Sequence, residues 1–282
     1  MNKIDIKLLI LDMDGTSYYK MGPIIEKNIE PLKKAIQKGI KVVFVTGRPV
    51  LAKLNSLKHH GLLVDHQLIA GYNAACIYDL NKNQILLSNP IKTNQAKEVF
   101  DIITSKKFEN SNIKIWGYVD DLKTVITNKW TKNPNDYHDE TDFFDGQVLE
   151  YKDVKDNFNF KFFKLLAFDI NQEFYDILAN QLNLNVATND NRIVEINKKD
   201  INKKLAVEWF SNYFDIDLKN IAAIGDGMND LEMISHVGYK VAIKNSVEPI
   251  KKIANIYIDK TAEQGAVEEF IKSYILGEQK WK

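Results

Sequence analysis

The chain has 282 residues, 45% hydrophobic and 27% charged, enough for one large domain or two modest ones with separate cores. Its 38 basic and 38 acidic side chains cancel, so charge alone points to no nucleic-acid or membrane partner. The single cysteine, Cys76, excludes an internal disulfide framework and any cysteine-based metal cluster.

Flanked by Ala75 and Ile77, Cys76 reads as a buried, inert thiol in a reducing compartment. No apolar run approaches the ~20 residues of a membrane span. Met1-Asn2-Lys3 leads into the first strand without a signal peptide, so a cytoplasmic location is expected.

The first apolar run, Leu8-Leu9-Ile10-Leu11, reads as a buried parallel strand that ends in Asp12-Met13-Asp14-Gly15-Thr16. Alone, Asp-Met-Asp-Gly also suits an ordinary turn. Two carboxylates at one strand end repel each other, however, and a shared cation relieves that repulsion. Ser17 to Ile25, with Tyr18, Tyr19, Gly22 and Pro23, suits a small flap over the mouth of a site. Asn28 is the expected N-cap of a helix with Pro31 in its first turn, and Gly39 ends it.

Val42 to Val45 is the next strand, and a right-handed crossover delivers Thr46 to the same sheet edge as Asp12. Thr46 and Gly47 offer a hydroxyl and an unobstructed amide able to hold a phosphate oxygen, although the pair by itself also suits a strand-ending turn. A helix from Pro49 to about His60 and a strand from Leu68 to Ala70 follow.

From about Asn89 to Ile196 the pattern changes. It reads as a helix (Gln95 to Ser105), a hairpin turning at Asp120-Asp121, a polar stretch, a strand (Phe162 to Asp169), a helix (Gln172 to Leu182) and closing strands. The acidic group Asp136, Asp139, Glu140, Asp142 and Asp145 lacks calcium-loop spacing and reads as a solvated surface, and His59, His60 and His138 form no zinc pattern. Lys203 then opens a helix carrying Leu205, Ala206, Trp209, Phe210 and Tyr213. Ile221 to Ile224 is another buried strand, running into Gly225-Asp226-Gly227-Met228-Asn229-Asp230. Alternating strands and helices complete the chain to Leu276.

Taken together, Asp12-Met13-Asp14-Gly15-Thr16, Thr46-Gly47-Arg48, Lys203 and Gly225-Asp226-Gly227-Met228-Asn229-Asp230 resemble the four motifs of the haloacid dehalogenase superfamily of phosphohydrolases. The likeness is closest to its Cof-type branch, which inserts a large cap between the second and third motifs. The resemblance implies an α/β fold: a Rossmann-like parallel-sheet core over residues 1–88 and 197–282, with an inserted α+β cap over 89–196 that sets specificity. Three positions depart from the family pattern, with Ala74, Lys204 and Lys244 standing where glycine is usual.

The resemblance also assigns roles. Asp12 would be the nucleophile that forms an aspartyl-phosphate, and Asp14 the acid and base. Thr46, Gly47 and Lys203 would hold the phosphoryl oxygens. Asp12, the Asp14 carbonyl and Asp226 would bind the metal, supported by Asn229 and Asp230. A site of oxygen donors alone selects Mg²⁺ over zinc or copper. The expected activity is Mg²⁺-dependent hydrolysis of small phosphorylated metabolites such as sugar phosphates. A phosphotransferase or sugar phosphomutase is the alternative, and a non-catalytic ligand-binding protein on the same fold a more distant one. Neither the substrate nor the oligomeric state can be read from these residues.

Overall fold

The computed structural model of the protein describes residues 5–62, 67–138, 140–188 and 193–278. Residues 1–4, where the direct entry into the first strand was expected, and Asp139 of the acidic group lie outside that set. No helix of the described residues is long and apolar enough to cross a membrane.

In chain order, the elements begin with β1 (Leu8–Asp12), α1 (Glu26–Gln37), β2 (Lys41–Val45), α2 (Leu54–His59), β3 (Leu68–Gly71), β4 (Cys76–Asp79) and β5 (Gln84–Ser88). Then come α3 (Thr93–Ile103), β6 (Lys114–Val119), β7 (Thr124–Thr127), β8 (Gln147–Glu150), α4 (Tyr151–Val154), β9 (Phe162–Phe168), α5 (Gln172–Asn180), β10 (Leu184–Thr188) and β11 (Ile193–Lys198). The last run is α6 (Lys204–Phe214), β12 (Ile221–Gly225), α7 (Leu231–Ser235), β13 (Tyr239–Ile243), α8 (Glu248–Ile253), β14 (Ile256–Ile258) and α9 (Ala266–Phe270), which continues as a π-helix over Ile271–Leu276. The chain divides into two compact units, one formed by the described residues up to Leu86 and from Asn202 onward, the other by Leu87–Ile201.

The first unit is built on a sheet with strand order β14-β13-β12-β1-β2-β3-β4-β5. Strands β14 through β3 run parallel, and β1 and β12 are buried along their whole length, which is why they read as continuous apolar runs. The strand order reverses at β1, with β2 and β3 on one side and β12, β13 and β14 on the other. A reversal of this kind opens a crevice at the carboxyl ends of the strands. Asp12 pairs with Val45 and Leu11 with Ile224, so Asp12, Thr46 and Asp226 emerge together at that edge.

The second unit is a six-stranded sheet, order β10-β11-β9-β6-β7-β8, antiparallel except where β7 meets β8. Ile115, Leu165, Ala167, Val194 and Ile196 on one face pack with Phe100 of α3 and with Phe174 and Leu178 of α5.

Several local expectations are corrected. The helix expected to begin with an Asn28 cap is instead preceded by Ile25 and starts at Glu26, three residues earlier than expected, and Asn28 lies buried within it, donating to the Ser17 carbonyl at 3.1 Å and accepting from the Glu268 amide at 3.2 Å. Buried cross-links of this kind need both amide atoms, which explains why an asparagine outside the cap position mimicked a cap signal. Pro31 therefore falls inside the helix rather than in its first turn. The helix expected from Pro49 forms only over α2, with turns before it. The β3–β4 pairing is antiparallel and was not anticipated, and β8 lies inside the stretch read as merely polar.

Candidate active site

Asp12 ends β1, and its burial, compounded by the nearby Asp230 charge, pushes its carboxyl well above the usual carboxylate range. Lys203 works against that shift. It is 1% exposed, and its Nζ lies 2.5 Å from Asp12 Oδ1 and 2.6 Å from Asp230 Oδ1. Burial alone would discharge the ammonium, but the two carboxylates outweigh it and hold Lys203 protonated above the ordinary lysine value. Lys204, one residue on, pairs with Glu208 at 3.3 Å on the helix surface, so the fold brings Lys203 to the site.

Asp230 also organises the loop after β12. Its Oδ2 accepts from the amides of Asp226 and Gly227, each at 3.0 Å. Asp226 in turn accepts from Thr16 Oγ1 at 2.9 Å, and burial together with Asp230 raises its carboxyl above the ordinary value. Gly15 makes this approach possible: its φ is +81°, and a Cβ there would sit 2.7 Å from Asp226 Oδ2. Ser17 Oγ donates to the Asp12 carbonyl at 2.6 Å and turns the chain back at the strand end.

Among the described residues, Asp12, Asp226 and Asp230 form the group of three carboxylates whose ligand atoms lie within 4.8 Å of one another. The donors are all hard oxygens and two of the three carboxyls are pushed upward, the condition that a divalent cation relieves. The residues present therefore fit Mg²⁺. Both Asp230 oxygens are engaged within the protein, Oδ1 by Lys203 and Oδ2 by two amides. Asn229 is exposed on the turn Met228–Asp230 and is not drawn into the cluster.

Thr46 is buried beside Asp12. Its Oγ1 accepts from the Arg48 amide at 3.1 Å, which leaves the hydroxyl proton to donate elsewhere. Gly47 packs so closely on the turn Tyr72–Ala74 that a Cβ would meet Asn73 Oδ1 at 3.1 Å. That turn takes left-handed backbone at three successive residues, including Ala74 at φ +73°. Of the three departures from the family's glycines, only Ala74 occupies such backbone. Lys244 and Lys204 do not, and each makes a surface ion pair.

The Asp14 carboxylate is not part of the acidic group. Its Oδ2 accepts from Arg48 Nε at 2.9 Å, while Oδ1 is buried with no hydrogen-bond partner. Arg48 also reaches Met21 Sδ in the flap, and Lys53 Nζ donates to the Gly22 carbonyl at 2.7 Å. Tyr18 is fully buried against Phe44, so the segment read as a flap is plugged into the core, and its exposed large apolar side chains are Tyr19 and Met21.

Sequence reasoning named Thr46-Gly47-Arg48 without giving the arginine a task, and it gave no role to Thr16, Ser17 or Asn245, which donates to the Gly15 carbonyl at 2.9 Å. The hydroxyls directly after Gly15 were the available signal. In the second unit, Asp136 accepts from Thr131 at 2.6 Å and Glu140 from Tyr118, and among the described residues neither joins a group of carboxylates close enough to share a metal.

A family model for haloacid dehalogenase-like hydrolases matches residues 9–271. Two Bacillus subtilis (strain 168) proteins named 5-amino-6-(5-phospho-D-ribitylamino)uracil phosphatase are similar to this chain. YcsE is 26% identical over 277 residues, 97% of each chain, and YwtE is 26% identical over 302 residues, 97% of this chain and 99% of its own. A haloacid dehalogenase-like hydrolase from Bacteroides thetaiotaomicron shares the fold with a TM-score of 0.82 at 23% identity, over 95% of this chain and 99% of its own. With nearly the whole chain matched and the motif residues gathered at one sheet edge, the chain belongs to the haloacid dehalogenase-like hydrolases and, among them, to the Cof-type phosphatases.

Proposed function

We propose that the protein is a Mg²⁺-dependent phosphomonoesterase that hydrolyses small phosphorylated metabolites through an aspartyl-phosphate on Asp12. The observation that carries this reading is the buried contact of Lys203 with Asp12 and Asp230 at the edge where the strand order reverses. Lys203 occupies Oδ1 of Asp12, so Oδ2 is the oxygen assigned to attack phosphorus. As the Asp12 O–P bond forms, the ester P–O bond breaks and Asp14 gives a proton to the departing alcohol oxygen. Asp14 then takes a proton from a water that attacks the phosphoenzyme. That step releases inorganic phosphate and restores Asp12.

The Thr46 hydroxyl, the Gly47 amide and the Lys203 ammonium are the donors for the phosphoryl oxygens. A bound Mg²⁺ screens the charge between the phosphate and the attacking carboxylate. Asp12, the Asp14 carbonyl and Asp226 would hold it, with Asp230 and, at the loop surface, Asn229 as support. We assign substrate selection to the unit Leu87–Ile201, because every motif residue lies outside it.

The B. subtilis relatives' name makes 5-amino-6-(5-phospho-D-ribitylamino)uracil the first substrate to try, beside sugar phosphates. Phosphate release from this panel, with Mg²⁺ and with excess chelator, tests the reading. Release is expected only with the metal, and Asp12→Asn is expected to abolish it while the protein stays folded. Release in full chelator, or an active Asp12→Asn variant, would refute it. Release that requires an added sugar acceptor would identify a phosphotransferase instead.

A further inference from the structure

Asp14 is asked to handle a proton, yet its two oxygens stand in different surroundings. Oδ2 is held by Arg48 Nε at 2.9 Å, and Oδ1 is buried without a partner. The Arg48 and Asp14 side chains are 13% and 21% exposed, so this contact is largely shielded from solvent. Arg48 is anchored at both ends, by its amide on Thr46 Oγ1 at 3.1 Å and by its guanidinium on Met21 Sδ of the flap. A carboxyl accepts from a guanidinium through one oxygen whether or not the other carries a proton.

From this geometry we infer that Arg48 is a positioning residue for Asp14. It pins Oδ2, keeps the carboxylate apart from Asp12, Asp226 and Asp230, and so dedicates Oδ1 to the leaving-group oxygen. The inference rests on the acid–base role proposed for Asp14 and adds the device that orients it. Arg48 is given no contact of its own with the phosphoryl group or the departing alcohol, only the placement of Asp14.

The effect should then scale with how much the leaving group needs a proton. The probes are aryl phosphates running from 4-nitrophenyl to 4-methoxyphenyl, read as kcat/KM, which reports phosphoryl transfer to Asp12. Wild type is compared with Arg48→Met, Arg48→Lys and Asp14→Asn, after thermal melts confirm that each is folded. Asp14→Asn should steepen the dependence on leaving-group basicity. Arg48→Met should steepen it in the same sense, with a loss at the 4-methoxyphenyl end of roughly 10- to 100-fold, the lower part of the range for acid–base catalysis. Arg48→Lys keeps a cation without the fork geometry and should fall between wild type and Arg48→Met.

A purely structural or phosphate-binding arginine would lower every ester equally. An equal loss across the series in both arginine variants overturns the inference, as does a rise in KM at unchanged kcat. A steep series in Asp14→Asn with a flat one in the arginine variants sinks the inference alone. A flat series in Asp14→Asn sinks the acid–base reading and this inference together.

Discussion

Replacing Lys203 with methionine keeps most of the buried stem and removes only the ammonium. Asp12 and Asp230, whose Oδ1 atoms lie 2.5 Å and 2.6 Å from Nζ, then share a buried site without a counter-charge. Breaking a buried ion pair from one side costs about 3–5 kcal/mol. For a unit of roughly 150–250 residues each kcal/mol moves the midpoint by about 2–4 °C, so a Tm lower by on the order of 10 °C is expected.

The deficit should depend on pH with a definite sign. In the wild type the Lys203 pKa is raised, so its contribution is complete below the ordinary lysine value and is lost only above it. The Asp12 pKa is also raised, so the folded state holds that proton more tightly than the unfolded chain does. Stability from that site is present in acid and is lost as pH rises through the raised value. Without Lys203 the shift grows, and the variant should recover towards wild type as pH falls from about 8 to about 5. Thermal melts of both proteins in chelator across this range make the measurement, and turnover should fall roughly 10²–10³-fold, the usual loss for one donor to a developing negative charge. A Tm change under about 2 °C at about pH 8, or a deficit that widens in acid, would refute the reasoning.

Gly15→Ala should raise the Mg²⁺ concentration for half-maximal activity by roughly tenfold, because the new Cβ would sit 2.7 Å from Asp226 Oδ2 on left-handed backbone. A Mg²⁺ titration unchanged from wild type would show that Asp226 is not held by this contact. Burial pushes the Cys76 thiol up to about 12, so iodoacetamide at mildly alkaline pH should leave the folded protein unmodified and label it fully in denaturant, as read by mass spectrometry. Labelling of the native protein at the denatured rate would contradict that placement.

Local pattern was enough for the parallel core, while the residues gathered at its edge were named by the resemblance of four short motifs taken together. Leu8-Leu9-Ile10-Leu11 and Ile221-Ala222-Ala223-Ile224 are buried on both faces, so their apolar continuity is itself the signature of a central strand. The carboxylates that follow each run stand out because nothing in strand packing calls for them. The resemblance pointed to the stretch holding Lys203 and Lys204, and the fold separates the two, with Lys203 just ahead of the helix reaching Asp12 and Asp230 and Lys204 pairing with Glu208.

What required the tertiary structure is whatever depends on partners distant along the chain. The Asp14 contact with Arg48 spans 34 residues and the Asp12 contact with Lys203 spans 191, and no periodicity encodes either. Asn28 mimicked a helix cap because its amide is equally suited to joining the Ser17 carbonyl and the Glu268 amide. β8 escaped notice because its residues are at best half-buried, so no strong alternation marks them. The amino-acid sequence by itself determined which strands carry acid groups and in what order, because burial imposes composition residue by residue. Only the folded structure decided which carboxylate oxygen each cation takes, because that choice is made by groups that meet after the sheet has closed.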